Sequence, residues 1–237
     1  MIAPIPHDED VRLSALRACN VLDTPPEEDF DDITRLAAHI CGVPIAAISL
    51  VDAERQWPKS IVGFPAAEAP RDMSFCAHAI LQKHVMVIPD TRADVRFADN
   101  PYVTGDADIR FYAGAPLITE DGHALGSLCV VDRIPRQLTS DQEEALRLLA
   151  RLVTSQLERS RQAAERGRAE AERLKTEEER LRLAAIIETS GDAISARRWR
   201  GESRAGTGGR CGSMAMRPPS WSAGLSPSWS RRSFALR

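Results

Sequence analysis

The sequence predicts an α+β fold closed by a long helix. Three observations predict it. Helical periodicity occupies residues 8–41 and returns after Thr139. Short apolar runs of strand length fill the stretch between, and Glu120-Asp121-Gly122 joins two of those runs as a hairpin turn.

Residues 8–20 place Val11, Leu13, Leu16 and Ala18 at the spacing of a short amphipathic helix. Thr24-Pro25-Pro26 breaks the chain, with Thr24 the expected N-cap of the next helix. Residues 27–41 set Phe30, Ile33, Leu36, Ala37 and Ile40 on one helical face. Gly42 then suits a C-cap, and Pro44 prevents continuation. Residues 45–51 (IAAISLV) have strand length, and Asp52 to Arg55 turns the chain into a second strand at 56–62. Residues 65–73 read as loop, Ser74 as the cap of a short helix over 75–82, and Val85 to Ile88 as a brief strand. The polar stretch 89–108 is long enough for a functional loop. Phe111 to Ile118 and Ala124 to Val131 form the hairpin.

From Thr139 to about Thr189 no Pro interrupts, and Thr139-Ser140-Asp141-Gln142 has the form of a capping box. One heptad seam (146, 153, 160, 167, 174, 181) reads Leu, Val, Ser, Gly, Leu, Leu. Its companion (149, 156, 163, 170, 177, 184) reads Leu, Gln, Ala, Glu, Glu, Ala. Apolar ends with a polar middle predict a marginal dimeric signalling helix. The alternative is a single solvated helix held by pairs such as Arg161–Glu165 and Glu178–Arg182.

Composition bounds the function. Apolar residues make up 43%, enough for a core, and the formal net charge of −3 argues against a dedicated nucleic-acid binder. The longest apolar run, Val43 to Val51, has nine residues, short of the roughly 20 that span a bilayer. The N-terminus MIAPIPHDED lacks the pattern of a secretory signal. The five scattered cysteines (Cys19, Cys41, Cys76, Cys129 and Cys211) fit reduced thiols, so a cytoplasmic location is expected, without membrane or nucleic-acid partners.

Chemistry-bearing residues cluster in the centre. Asp90, Asp94, Asp99, Asn100 and Arg110 lie near Phe97, Tyr102, Phe111 and Tyr112, the mixture a small-ligand pocket needs. The same residues could instead tie the loop down, Asp99 and Asn100 capping a turn and Arg110 paired to an aspartate. Cys76 and His78, two apart on a helix, point about 200° apart, a poor chelate and a poor nucleophilic pair. No metal-site spacing, Gly-rich phosphate loop or nucleophile elbow is present.

The motifs LDTPPEEDFD (22–31), ISLVDAERQW (48–57), SFCAHAI (74–80), DVRFADNPYV (94–103), RFYAGAPL (110–117) and GHALGSLCVVDRIPRQL (122–138) together resemble a GAF domain of bacterial signalling proteins. The resemblance covers Arg12 to about Arg159. It implies an antiparallel sheet of five or six strands with helices on both faces, the terminal helices on one and a ligand pocket on the other. Family position implies Trp57, Ser74, Phe75, Cys76, His78, Arg110 and Tyr112 as ligand-binding residues, Arg110 anchoring an anionic group and the aromatics stacking on a planar one. It leaves the ligand and any cofactor unnamed. The bilin-attachment motif of phytochromes and the N-K-F-D-E signature of cyclic-nucleotide GAF domains are both missing. Cys76 and Cys129 keep a thiol enzyme of the free methionine sulfoxide reductase type as the alternative, although the cysteine pattern differs.

Residues 195–237 depart from everything before them. They hold nine Arg, no Lys and one acidic residue, Glu202, a net charge of +8, against 22 basic and 33 acidic side chains in the first 194. A disordered basic tail or a nucleic-acid arm would fit, but an out-of-frame reading fits better. Shifting the codons by one base permits Thr-Ser-Trp-Asn-Arg-Gly-Ala over Ser203–Arg210 and Gly-Tyr-Ala-x-x-Glu-Leu-Val-Gly from Met214 onward. Both resemble the run SWNxGAE…GYxxxELVG of PAS sensory domains, and RLRLAAIIETSGDAI (180–194) resembles a PAS start. The expected organisation is an N-terminal helix (1–21), a GAF core (22–138), a signalling helix (139–189) and a truncated PAS start with a disordered tail (190–237). The expected function is the sensory module of a two-component or cyclic di-GMP signalling protein. It binds a small ligand and relays through a helical homodimer. No catalytic output domain, and so no enzyme activity, is expected in the chain itself, its parent being a sensor histidine kinase or a diguanylate cyclase.

Overall fold

The structure, a computed structural model, describes the backbone of residues 3–65 and 68–201, with side chains through residue 186. Two compact units divide the chain, residues 1–179 and 180–237. The first opens with two helices, α1 (Glu9–Ala18) and α2 (Glu28–Cys41). Gly42 closes α2 in the left-handed conformation at φ 63°, where a side chain is disfavoured, as the Gly-Val-Pro sequence predicts. Thr24 is not the cap. Its hydroxyl donates to the Val21 carbonyl at 2.7 Å, and Glu27 occupies the N-cap without a side-chain capping bond, its carboxylate pairing with Lys59 instead.

Six strands come next: β1 (Ile45–Val51), β2 (Arg55–Val62), β3 (Ala69–Pro70), β4 (Met86–Ile88), β5 (Phe111–Ile118) and β6 (Ala124–Asp132). They form one sheet in the order β3-β2-β1-β6-β5-β4, with antiparallel pairing between neighbours. Between β3 and β4 come a 3-10 turn (Arg71–Met73) and the short helix α3 (Phe75–Ala79). A further short helix, α4 (Pro101–Thr104), lies between β4 and β5. The expected loop 65–73 therefore contains an edge strand, and the helix expected to reach residue 82 ends three residues sooner.

Every residue of β1 is buried. A strand covered on both faces needs apolar side chains on both, which is why IAAISLV shows no polar alternation. Ala46, Ile48 and Leu50 join Leu128, Val130, Phe111, Ala113 and Ala115 in a core under α1, α2 and the last helix. Ile45, Ala47 and Val51 face the other way, into a second core with α3, Phe97, Tyr112 and Cys129.

The last helix, α5 (Ser140–Gly201), starts at the expected capping box. The Gln142 N–H donates to Thr139 Oγ1 at 3.2 Å and the Thr139 N–H to Gln142 Oε1 at 3.0 Å. Leu146, Leu149, Val153 and Leu157 are buried in the first core. The apolar start of the heptad seams is thus spent on this chain's own sheet. Arg161 reaches Asp121 of the β5–β6 turn at 3.4 Å rather than Glu165. In the second unit Leu181, Leu183 and Ile186 are exposed. The out-of-frame tail falls, from residue 202 on, outside the described residues.

Candidate functional site

A cavity of about 80 Å³ lies in the second core, between the sheet and α3. Its origin is a row of small side chains. Ladder pairing aligns Gly114 of β5 with Cys129 of β6, and Cys129 with Ala47 of β1, so three neighbouring strands present little bulk at one level. Helix α3 roofs the gap. Ser74 caps α3, accepting the Ala77 N–H at 3.0 Å, and its hydroxyl also donates to Gln56 of β2. Gln56 Nε2 in turn donates to Ser49 Oγ of β1 at 3.2 Å. A polar row, Ser49–Gln56–Ser74, therefore runs along one side.

The remaining wall is apolar and aromatic, with Ile45, Ile61, Phe75, Ile109 and Tyr112 among its residues. Half-buried Phe64, Met73 and Tyr102 and exposed Pro65 form the rim. No charged side chain lines the cavity among the described residues. Phe75 stacks on Tyr112 at 5.1 Å and on Phe97 at 4.4 Å. Gly114 makes room for the Tyr112 ring: a Cβ there would lie 2.2 Å from the Tyr112 hydroxyl.

Two thiols sit on the floor. The Cys76 and Cys129 sulfurs are 3.9 Å apart and buried. The Tyr112 hydroxyl donates to Cys76 Sγ at 3.5 Å and lies 3.3 Å from Ser127 Oγ. A hydrogen bond from Cys129 outweighs burial and, with Ser127, Tyr112 and Ser49, brings the Cys76 thiol down to about 7. Its bond to Cys76 and its burial push Cys129 well above the ordinary thiol value. Burial, reinforced by a neighbouring Cys76 thiolate, raises Tyr112.

Of the seven residues singled out in the sequence, Ser74, Phe75, Cys76 and Tyr112 line the cavity. Trp57, His78 and Arg110 do not. Trp57 alternates to the opposite face of β2 and packs on the first core. His78, half a turn from Cys76, lies edge-on to Phe97 at 4.7 Å, its Nδ1 3.3 Å from the Ser74 carbonyl. Arg110 donates from Nη1 to the carbonyls of Val103 (2.8 Å) and Ile109 (3.0 Å) and pairs through Nη2 with Asp108, so its charge is used within the loop rather than offered to an anion. Loop 89–108 is likewise stitched internally: Asn100 caps α4 by accepting the Tyr102 N–H, and Asp90 and Asp94 pair with Arg92 and Arg96.

Sequence reasoning missed Ser49, Gln56, Phe64, Met73 and Ile109, but Tyr102, one of the aromatics expected near the pocket, does reach its rim. The alternation of β1 and β2 would have put Ser49 and Gln56 on the Cys129 side once the sheet order was known.

Residues 25–157 match the model of a protein family described as the GAF domain. The cyclic di-GMP phosphodiesterase PA2567 of Pseudomonas aeruginosa is 44% identical over 155 residues. These are 65% of this chain but 26% of that protein, so the chain spans about a quarter of the relative's length. This match overturns the expectation of a chain without enzymatic character whose parent is a kinase or a cyclase. The curated relative is an enzyme, a phosphodiesterase, although the identity covers only the GAF part of this chain. Among solved structures, the GAF domain of an Acinetobacter phosphoenolpyruvate-protein phosphotransferase shares 16% identity at a TM-score of 0.49, over 64% of this chain and 95% of that one. A free methionine-R-sulfoxide reductase from Neisseria meningitidis shares 17% at 0.48, over 68% and 96%. Among the described residues no helix is long and apolar enough to cross a membrane.

Proposed function

Because this chain belongs to the GAF domain family, we propose that it is the sensory part of a cyclic di-GMP phosphodiesterase, taking a small uncharged molecule into the cavity under α3. The observation that carries this reading is the lining. A volume of about 80 Å³, open at the Phe64–Pro65 rim, admits several waters or a molecule of single-ring size. Walls without charge disfavour phosphates and carboxylates, which lose hydration there without gaining a partner. Cyclic di-GMP itself is excluded from this cavity on both counts. The Ser49–Gln56–Ser74 row fixes one polar group of the guest, and the rings of Phe75 and Tyr112 flank its body.

The same reading includes a relay. The backbone N–H of Glu120, in the β5–β6 turn, donates to Glu158 of α5 at 2.9 Å, and Arg161 reaches Asp121. Gln142 and Gln156 tie α5 to α2 through the Ile40 carbonyl and Asp29, both at 3.1 Å. A guest that shifts β5 and β6 therefore pulls on α5 at its contacts with the sheet end. A dimer formed through the exposed part of α5 would carry that pull onward.

Native mass spectrometry of the protein as expressed tests the ligand. A bound neutral mass is expected, lost in Ala47→Leu, which fills the small-residue row. A bare mass spectrum, together with no thermal shift from single-ring probes such as phenol, ends the ligand reading.

A further inference from the structure

We propose that Cys76 and Cys129 form an oxidisable dithiol, a modification site at which hydrogen peroxide or a similarly small neutral hydroperoxide converts the pair to an intramolecular disulfide.

Geometry carries the inference. The two sulfurs lie 3.9 Å apart on separate elements, α3 and β6, and both face the cavity. A disulfide needs about 2.05 Å, so the sulfurs must close by about 1.9 Å, within reach of side-chain rotation and a small shift of a five-residue helix. A hydroxyl chain ends on Cys76: Tyr112 donates to its Sγ at 3.5 Å and is itself 3.3 Å from Ser127 Oγ. These are the groups that stabilise a thiolate, and the thiolate is the nucleophile. The Tyr112 donor on Cys76 makes it the attacking sulfur and Cys129 the resolving one. The other described cysteines lack this setting. Cys19 donates to the Ala15 carbonyl in the first core, where burial pushes its thiol up to about 11, and burial raises Cys41 too.

The Cys76 thiolate attacks one peroxide oxygen; an S–O bond forms, the O–O bond breaks, and the leaving hydroxide takes up the proton that Cys76 gave up on ionising, relayed through the Tyr112 and Ser127 hydroxyls, to depart as water. Cys129 sulfur then attacks the Cys76 sulfenic acid. The S–S bond forms, the S–O bond breaks, and a second water leaves with the Cys129 proton. Two thiols lose two electrons, and the peroxide is reduced to two waters. The product staples α3 to the sheet across the floor of the cavity. The narrow cavity, whose lining holds no cation to draw an anion in, suits a small neutral oxidant and resists bulky or anionic ones.

The test is a peptide map of the whole chain after brief exposure to a small molar excess of hydrogen peroxide, followed by alkylation under denaturing conditions. A linked Cys76–Cys129 peptide is expected, forming roughly tenfold or more faster than any oxidation at Cys19 or Cys41, because the thiolate fraction sets the rate. In Cys129→Ser, dimedone should trap a sulfenic acid at Cys76. In Cys76→Ser, Cys129 should stay reduced. The wild-type map stands even if a variant misfolds. No linked peptide, oxidation of Cys19 or Cys41 at the same rate, or Cys76 passing directly to sulfinic acid overturns the proposal. None of these results bears on the neutral ligand, so the two readings fail separately.

Discussion

Cys76, Tyr112 and Gly114 show how much one position can decide. A Cβ at residue 114 would meet the Tyr112 hydroxyl at 2.2 Å and its ring carbons at 2.7 and 2.9 Å. Gly114→Ala must displace that ring. A loss of about 1–3 kcal/mol is expected from overpacking, read as a lower denaturation midpoint at an unchanged slope. Glu9 poses an electrostatic question at the same scale. Burial pushes its carboxyl up, but hydrogen bonds from Arg12 and Arg71 outweigh it and hold Glu9 at about 2, against 4.5 unperturbed. A depressed folded-state value adds stability above the unfolded pKa, and that stability is lost as pH falls through the folded one. Stability should therefore decline between about pH 4.5 and pH 2. In Glu9→Gln that part of the decline should vanish from a urea series across pH. Arg12 meets Glu9 as an i, i+3 neighbour within α1, a pairing the sequence spacing allows, whereas Arg71 reaches it only because the fold brings α1 to the 3-10 turn.

Helix starts are the elements that local chemistry controls best. The reciprocal bonds of Thr139 and Gln142 begin α5 where the four-residue pattern says they should. Thr139→Ala should cost about 1 kcal/mol, visible as a small drop in thermal midpoint. Ser74 likewise caps α3 as expected, yet α3 stops at Ala79 because tertiary contacts, not propensity, hold so short a helix. Thr24 shows the opposite outcome. Its hydroxyl turns back to Val21 and accepts from buried Lys59 at 2.7 Å, a partner 35 positions away, so the cap is forfeited to a long-range contact.

At the scale of the molecule, the central question is what the apolar positions of α5 face. Leu146 is fully buried against the sheet, whereas Leu174, on the same heptad seam, is 66% exposed. Leu146→Ala should destabilise the fold by about 2–5 kcal/mol. Leu174→Ala should leave unfolding within about 0.5 kcal/mol of wild type. If α5 pairs with a second copy, Leu174→Ala should instead weaken the dimer, shifting its dissociation to higher protein concentration in analytical ultracentrifugation. An unchanged oligomeric state would remove the dimer from the proposed relay. The heptad pattern could not separate these roles: a leucine that packs on its own sheet and one that awaits a partner have the same local sequence.

Period, length and turn chemistry in the sequence were enough to locate the helices at either end, five of the six strands, the β5–β6 hairpin and the Gly42 stop, because each leaves a pattern within a few residues; the two-residue edge strand β3 leaves none. Motif resemblance added the family and four of the eighteen cavity-lining residues. Tertiary structure alone decided the rest: that Trp57 turns to the helical face, that Arg110 is consumed by its own loop, and that Cys76 meets Cys129 from 53 positions away. The physical reason is register. Strand order and pairing determine which small side chains line up to leave a cavity, and neither is encoded within any single strand.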